Sequence, residues 1–448
     1  MRQKLAGLPQ LFNADRLSMV VLALIFFVAI IVASYATRYL KGDRRQKAFF
    51  GNLLALVVSV SAMVCADHIL LFLVSWAVGN ALLTRLMLHK HVWEAAKQSS
   101  IIAVKNFTLG FVFLGAALLL LYNVTGETSI HALVTKPIAF KWVFTAGGLL
   151  LLAAITQSAL WPFHRWLTSS LNAPTPVSAI MHAGLVNGGG FLLTRFAPML
   201  ASNADILNII FITGITTAVL GTLWKLMQSD IKRMLACSTM GQMGFMIAQC
   251  GLGLFPAAVA HLCWHGLFKA YLFLGLGSAA KEKRLDLEYP PSFIQFLMAL
   301  VCGVAAAFMF CISSGKQILA PNTTSFLTFL AMLTGAQFAL PIIRGKATAK
   351  LLVAALATAA MGFIYGLSVG LIEGTLAPLH LMAPQPLNAV HFLAAALLLG
   401  SWLAMLFINP SAQKNLYPAW LLKKYVQMLN ASQPHPNTIT AHRNKYQF

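Results

Sequence analysis

The chain has 448 residues, of which 59% are hydrophobic and only 10% charged, against about 45 to 50% apolar content in a soluble globular domain. An ordinary soluble enzyme or binding module is thereby excluded. A formal net charge of +21 raises nucleic acid as a partner, but the basic residues sit in short connections between long apolar stretches, which sets that class aside.

In chain order, thirteen stretches approach the roughly 20 apolar residues that a helix needs to cross a bilayer. They cover residues 17–37, 49–65, 69–87, 101–124, 140–160, 176–200, 206–226, 234–254, 256–279, 293–312, 325–343, 351–372 and 390–408. The expectation is an all-α polytopic membrane protein of about 13 transmembrane helices. A polar leader, residues 1–16, precedes them without an Ala-x-Ala cleavage signal and is expected to stay on the chain. No linker or charge block divides residues 17–408, which read as one membrane domain. The tail, residues 409–448, differs: YPAWLLKKYVQML at 417–429 alternates apolar residues with Lys423 and Lys424 at helical spacing, which predicts an amphipathic interfacial helix. Residues 430–448 are polar, with Pro434 and Pro436, and are expected to be mobile unless a partner holds them.

Connections after the odd-numbered stretches, with the tail, hold most of the basic residues, among them Arg38, Lys41, Arg44, Arg45, Lys47, Lys225, Lys232, Arg233, Arg344, Lys346 and Lys350. The other side holds Arg2, Lys4, Arg16, Lys136 and Lys141. By the positive-inside rule the N-terminus is expected outside and the C-terminus in the cytoplasm of a cell inner membrane. Lys105, Arg195, Lys269 and Lys316 fall within or at the ends of spans, where a charge is costly and usually functional. All eleven acids, Glu373 included, fall at predicted span ends or in connections. An acid for a proton relay would therefore have to be dispensed with or borrowed from a partner. The six cysteines form no CxxC pair or other metal-type spacing and read as small packing residues. No P-loop or GxGxxG pattern points to a nucleotide-driven machine.

Two spans look interrupted. TQSALWPFHRWL at 156–167, followed by NAPTPVS at 172–178, puts prolines and polar groups at the end of an apolar helix; SSGKQ at 313–317 does so without proline. Such breaks survive at membrane depth only when buried or lining a wet cavity, and two of them five spans apart are what an internally repeated transporter would show. Ordinary loops at helix ends are the other reading.

The most informative pattern is His261, His265 and Lys269, spaced by four, which stacks three titratable groups along about 12 Å of one helix face. That suits proton transfer; the plainer alternative is that neighbouring helices satisfy each group for packing alone. His182 by itself reads more as a structural group, and NGGG at 187–190 would let helices approach or bend. Asp230, beside Lys232 and Arg233, could be a solvated helix end, an anchor or a gate.

Three runs, WPFH with APTPVSAIMHA (161–164, 173–183), DIKRMLACSTMGQMG (230–244) and the segment from His261 to Lys269, resemble the antiporter-like subunits of respiratory complex I and Mrp antiporters. The resemblance covers most of the chain up to about residue 320. It implies two inverted repeats with discontinuous helices, and the first span here looks like the family's third helix. Where that family carries a glutamate after a tryptophan and a lysine in its first broken helix, this chain has Ala77 after Trp76, and Gln157. The first half-channel is therefore expected to be disabled. Lys316 matches the second broken-helix lysine, with Lys232, His261, His265 and Lys269 in place. With the VNGGGFLL run and basic tail, the chain looks most like membrane subunits of DAB inorganic carbon accumulation systems. That resemblance implies a cytoplasmic DabA-like partner with a carbonic-anhydrase-like zinc site, no cofactor and no enzymatic centre in this chain, and cation or proton flow that energises hydration of CO2 to bicarbonate. The competing expectations are a proton-pumping subunit of a redox complex and a non-conducting membrane anchor.

Overall fold

In lipid, a long apolar segment satisfies its backbone only by bonding to itself. The computed structural model, which describes residues 11–277, 291–343, 349–407 and 418–439, is helical accordingly, with isolated bridges but no strand among the described residues. In order, the helices are α1 (Arg16–Tyr39), α2 (Gln46–Cys65), α3 (Ile69–Met87), α4 (Glu94–Thr125), α5 (Ile130–Thr135), α6 (Phe140–Gln157), α7 (Arg165–Thr168), α8 (Thr175–Ala183), α9 (Gly188–Arg195), α10 (Ala197–Leu200), α11 (Ala204–Leu226), α12 (Ile231–Gly251) and α13 (Phe255–Leu274). Then follow α14 (Phe293–Ser314), α15 (Thr324–Ile343), α16 (Ala349–Leu376), α17 (Ala389–Phe407) and α18 (Ala419–Ser432). Within the described residues all thirteen predicted stretches fall on helices, and 11 segments there are long and apolar enough to cross a membrane. The other two are α12, diluted by Lys232, Arg233, Gln242 and Gln249, and the shorter apolar run Ala389–Ala404.

The chain forms two compact units. The first comprises Met1–Gly251, His261–Ala280 and Gln427–Phe448, the second Leu252–Ala260 and Lys281–Val426.

In the first unit α11 and α12 pack backbone to backbone. A Cβ on Gly214 would strike Ala248, and one on Gly244 would strike Ala218; small residues permit this approach where lipid offers no hydrophobic driving force. The first predicted interruption is present. Helix α6 stops at Gln157, Ala159 takes a left-handed φ of 55° and Trp161–Pro162 is cis, and the chain resumes only through α7 and a short 3-10 turn. Side chains satisfy this buried irregular backbone: Ser158 Oγ donates to Val186 O (2.6 Å) and accepts from Gly189 N (3.1 Å), Ser99 Oγ donates to Ser169 O (2.7 Å), and Trp166 Nε1 donates to Thr156 O (3.0 Å). A further break follows at Gly184, where a Cβ would lie 2.7 Å from Ile180 O. There α8 gives way to a 3-10 turn, Leu185–Asn187, and then α9.

In the second unit α14 packs on α15 and α16 around Cys302, Ala336, Ala339 and Trp402. The second predicted interruption takes the form of a helix end: α14 is a 22-residue helix capped by Gly315 at φ 68°, and the chain turns into α15.

The amphipathic helix predicted at 417–429 lies at Ala419–Ser432, with Trp420, Leu422, Tyr425 and Val426 exposed. The segment after it corrects the expectation of mobility, for residues 430–439 belong to the first unit and are held against its helices and loop. Met428 and Ala431 pack on Trp224, Cys237 and Met240. Gln228 Nε2 donates to Ser432 Oγ (2.8 Å), Arg233 Nη1 to Gln433 Oε1 (2.9 Å), and Asn172 Nδ2 to Thr438 O (2.9 Å), while His435 N donates to Ser169 Oγ (2.9 Å). A polar segment finds enough partners here because the broken-helix loop presents its own polar side chains. Residues 1–10, 278–290, 344–348, 408–417 and 440–448 lie outside the described residues, and with them Arg2, Lys4, Glu282, Asp286, Glu288, Arg344 and Lys346.

Candidate buried ion path

Helix α13 carries the ladder, and Gly266 sets where it sits. A Cβ there would lie 2.8 Å from Ala183 O, so only glycine lets α13 press against the broken end of α8. That approach brings His265 to Asn187. The Asn187 Nδ2 donates to Ala183 O (2.7 Å), which turns its Oδ1 to accept from His265 Nδ1 (3.2 Å). The His265 and His261 rings stack at 6.2 Å and 13°, and His261 also packs edge-on against Phe245. Both Nε2 atoms are buried with no partner among the described residues.

Lys269 is fully buried. Its Nζ donates to Leu235 O (3.1 Å), and no carboxylate pairs with it among the described residues. Thr239 Oγ1 donates to the same carbonyl (2.9 Å) and therefore accepts from His182 Nδ1 (3.0 Å). His182, Thr239, Leu235 O and Lys269 thus form one hydrogen-bonded chain. Its partners were not readable from spacing, because α12 supplies the middle members.

The two residues at the start of α12 stand apart from that chain. Asp230 is exposed and accepts from Arg233 N (2.9 Å), so it serves as a helix cap. Lys232 is half-buried and donates to Leu171 O (3.3 Å) in the broken-helix loop.

In the second unit Lys316 Nζ meets Glu373 Oε1 at 2.5 Å, with side-chain exposures of 6% and 18%. This corrects the expectation that no acid stands inside a span: the helix runs past the predicted end at 372 to Leu376, and the candidate span reaches Leu379. The missed signal was in the sequence. Gly362, Gly366, Gly370 and Gly374 repeat every four residues, and a Cβ on Gly362 or Gly366 would strike the backbone of Ala306 or Phe310. This small-residue stripe brings α16 close enough to α14 for Glu373 to reach Lys316.

The first-repeat positions are neutral. Ala77 is half-buried. Gln157 exchanges hydrogen bonds with Asn80 (3.1 and 3.0 Å) and donates to Leu185 O (3.3 Å). Of the other two intramembrane cations, Lys105 is exposed on α4, and Arg195 pairs with Asp15 while also donating to Ser18 Oγ and Val64 O (2.9 Å each). Burial works to raise the Asp15 carboxyl, but the Arg195 charge and the Ser18 hydrogen bonds outweigh it and hold the group below its ordinary value of 3.8. No cluster of three or more His, Cys, Asp or Glu suited to a metal occurs among the described residues.

Spanning helices, a discontinuity at α6 and a buried chain of titratable groups define a polytopic membrane protein of the antiporter-like kind. The chain belongs to the NADH:quinone oxidoreductase/Mrp antiporter transmembrane family, which matches residues 66–343, and residues 8–50 match the N-terminus of complex I chain 5. Among its relatives are the "probable inorganic carbon transporter subunit DabB1" of Halothiobacillus neapolitanus, 37% identical over 279 residues, covering 60% of this chain and 50% of that protein, and the DabB subunit of Bacillus subtilis, 38% identical over 272 residues, covering 60% and 54%. NADH-quinone oxidoreductase subunit L of Escherichia coli is 33% identical over 273 residues, covering 59% and 44%. In structure the chain is similar to the Mrp complex from Dietzia sp., with a TM-score of 0.58 and 26% identity, over 95% of this chain and 45% of that one. The chain spans about half the length of the curated relatives it matches.

Proposed function

We propose that this chain is an ion-conducting membrane subunit that couples a proton or sodium gradient to the accumulation of inorganic carbon. The observation that carries the reading is the hydrogen-bonded chain of His182, Thr239, Leu235 O and Lys269, with the stacked His261 and His265 on the same helix as Lys269, all buried and with no neutralising carboxylate among the described residues. A lysine at 0% exposure is an expensive structural choice, and its neighbours are the side chains best suited to taking up its proton. Lys316 with Glu373 supplies the same chemistry in the second unit. The neutral Ala77 and Gln157 positions support a path confined to the second-repeat residues.

The names of the DabB relatives support inorganic carbon as the cargo, and by that analogy the partner is a cytoplasmic DabA-like zinc protein that carries the hydration chemistry. The distribution of Lys and Arg supports an outside N-terminus and a cytoplasmic C-terminus. Replacing His265 or Lys316 by alanine is expected to abolish gradient-driven carbon uptake in cells while leaving the complex assembled; full uptake in both variants would refute the reading. Purification separates it from the redox-complex alternative favoured by the subunit L relative: a zinc-bearing partner supports the proposal, and an iron-sulfur, quinone-reducing assembly overturns it.

A further inference from the structure

The first unit contains a cavity of about 70 Å³ between α1, α2, α3 and the broken α8–α9 segment. At ~10–15 Å³ per water-sized sphere it has room for several waters or one small solute. Leu24, Val28, Leu56 and Val60 form much of its wall, and its polar lining is entirely neutral: Ser75, Trp76, Asn80, Gln157 and Asn187.

Two features describe what fits. Asn80 and Gln157 satisfy one another, and Gln157 spends a further N–H on Leu185 O. No charged group lines the cavity, and an ion held there would lose its hydration without a counter-charge, a cost that far exceeds what amides return. The Trp76 indole is the second feature. It is 3% exposed and lines the cavity, yet its Nε1–H has no acceptor among the described residues. Buried donors are nearly always paired, so an open one on a residue that lines a cavity points to an acceptor held in that cavity.

We infer that this cavity is a binding site for a small neutral solute that accepts one hydrogen bond from Trp76, carbon dioxide being the form of inorganic carbon with that chemistry. The choice of species rests on the proposed function above; the neutrality of the site does not. Bicarbonate, which brings a charge, is rejected by the same lining. On this reading the neutral Gln157, at one of the two first-repeat positions, makes this a site for an uncharged molecule rather than an ion.

The test is structure determination of the full chain with its co-purifying partner in nanodiscs. Samples are frozen under carbon dioxide in mildly acidic buffer, under xenon, and in alkaline bicarbonate without gas. Density within hydrogen-bond reach of Trp76 Nε1 is expected under carbon dioxide and not under bicarbonate. The variant Trp76→Phe is expected to keep xenon, which shows that the cavity and fold persist, and to lose carbon dioxide. An acyl chain or fixed waters filling the cavity, density under bicarbonate, or carbon dioxide retained in Trp76→Phe would each overturn the inference. Density is read without ion flow, so its absence leaves the ladder reading standing, and loss of uptake in ladder variants leaves the density unchanged.

Discussion

The Lys316–Glu373 pair shows how few residues can decide the energetics of a span. Both side chains are largely shielded, so removing one partner strands the other charge, at a cost of about 3–5 kcal/mol. Replacing both with apolar residues of similar size removes the penalty along with the chemistry. Glu373→Ala alone is therefore expected to lower the thermal midpoint in detergent clearly, whereas Lys316→Met combined with Glu373→Leu should approach the parent midpoint and still lack gradient-driven uptake. A double variant with normal uptake would assign the pair to packing. Asp15 adds a pH signature. Its carboxyl is lowered from 3.8, so the stabilisation it gives α1 is complete above that value and is lost as pH falls through the lower folded value. Unfolding scans through the acid range should show this loss in the parent and a flatter profile in Asp15→Asn. The ladder was legible as residues because a period of four is local information. The hydrogen bonds of Lys269 and His182 were not, because Leu235 and Thr239 come from another helix.

At the level of helices, glycines decide which spans touch. The stripe on α16 makes a graded prediction. Gly366→Ala would drive a methyl group into the backbone of α14 at Phe310, whereas a methyl at Gly374, on the same helix near Glu373, meets nothing within 4 Å. Gly366→Ala is expected to separate the helices, lower stability by about 1–3 kcal/mol and weaken the ion pair, with Gly374→Ala near the parent in both thermal midpoint and uptake. Equal effects would mean that helix propensity, not approach, governs α16. Span positions were legible because lipid imposes one length and one composition, and the break after Gln157 was legible from its prolines. The break at Gly184 was only hinted at by the glycines behind it. The turn at Ser313–Gln317 carried the same local polarity as a true discontinuity, and only the full length of α14 tells them apart.

On the scale of the whole molecule, the tail is the clearest case of non-local order in a segment whose composition reads as mobile. His164, in the broken-helix loop, donates from Nε2 to Ala431 O (3.2 Å), and burial holds the imidazole below its ordinary value of 6.5. The folded group is thus kept neutral, and its contribution is complete above 6.5 and is lost as pH falls below that value, where the unfolded chain takes up a proton first. With the Gln228, Arg233, Asn172 and Ser169 contacts it makes five hydrogen bonds between the tail and the rest of the first unit. At about 0.5–1.5 kcal/mol each, these sum to a few kcal/mol before any burial of Met428 and Ala431 is counted. Truncation after Val426 is therefore expected to lower the midpoint of tryptophan-monitored unfolding by several degrees and to remove the loss of stability seen on mild acidification. Truncation after Ile439 should change neither. His164→Gln in the full chain is expected to abolish the acid sensitivity alone. If the longer truncation unfolds like the parent at every pH, the docked tail contributes nothing to stability, and its contacts would serve to hold the segment in place.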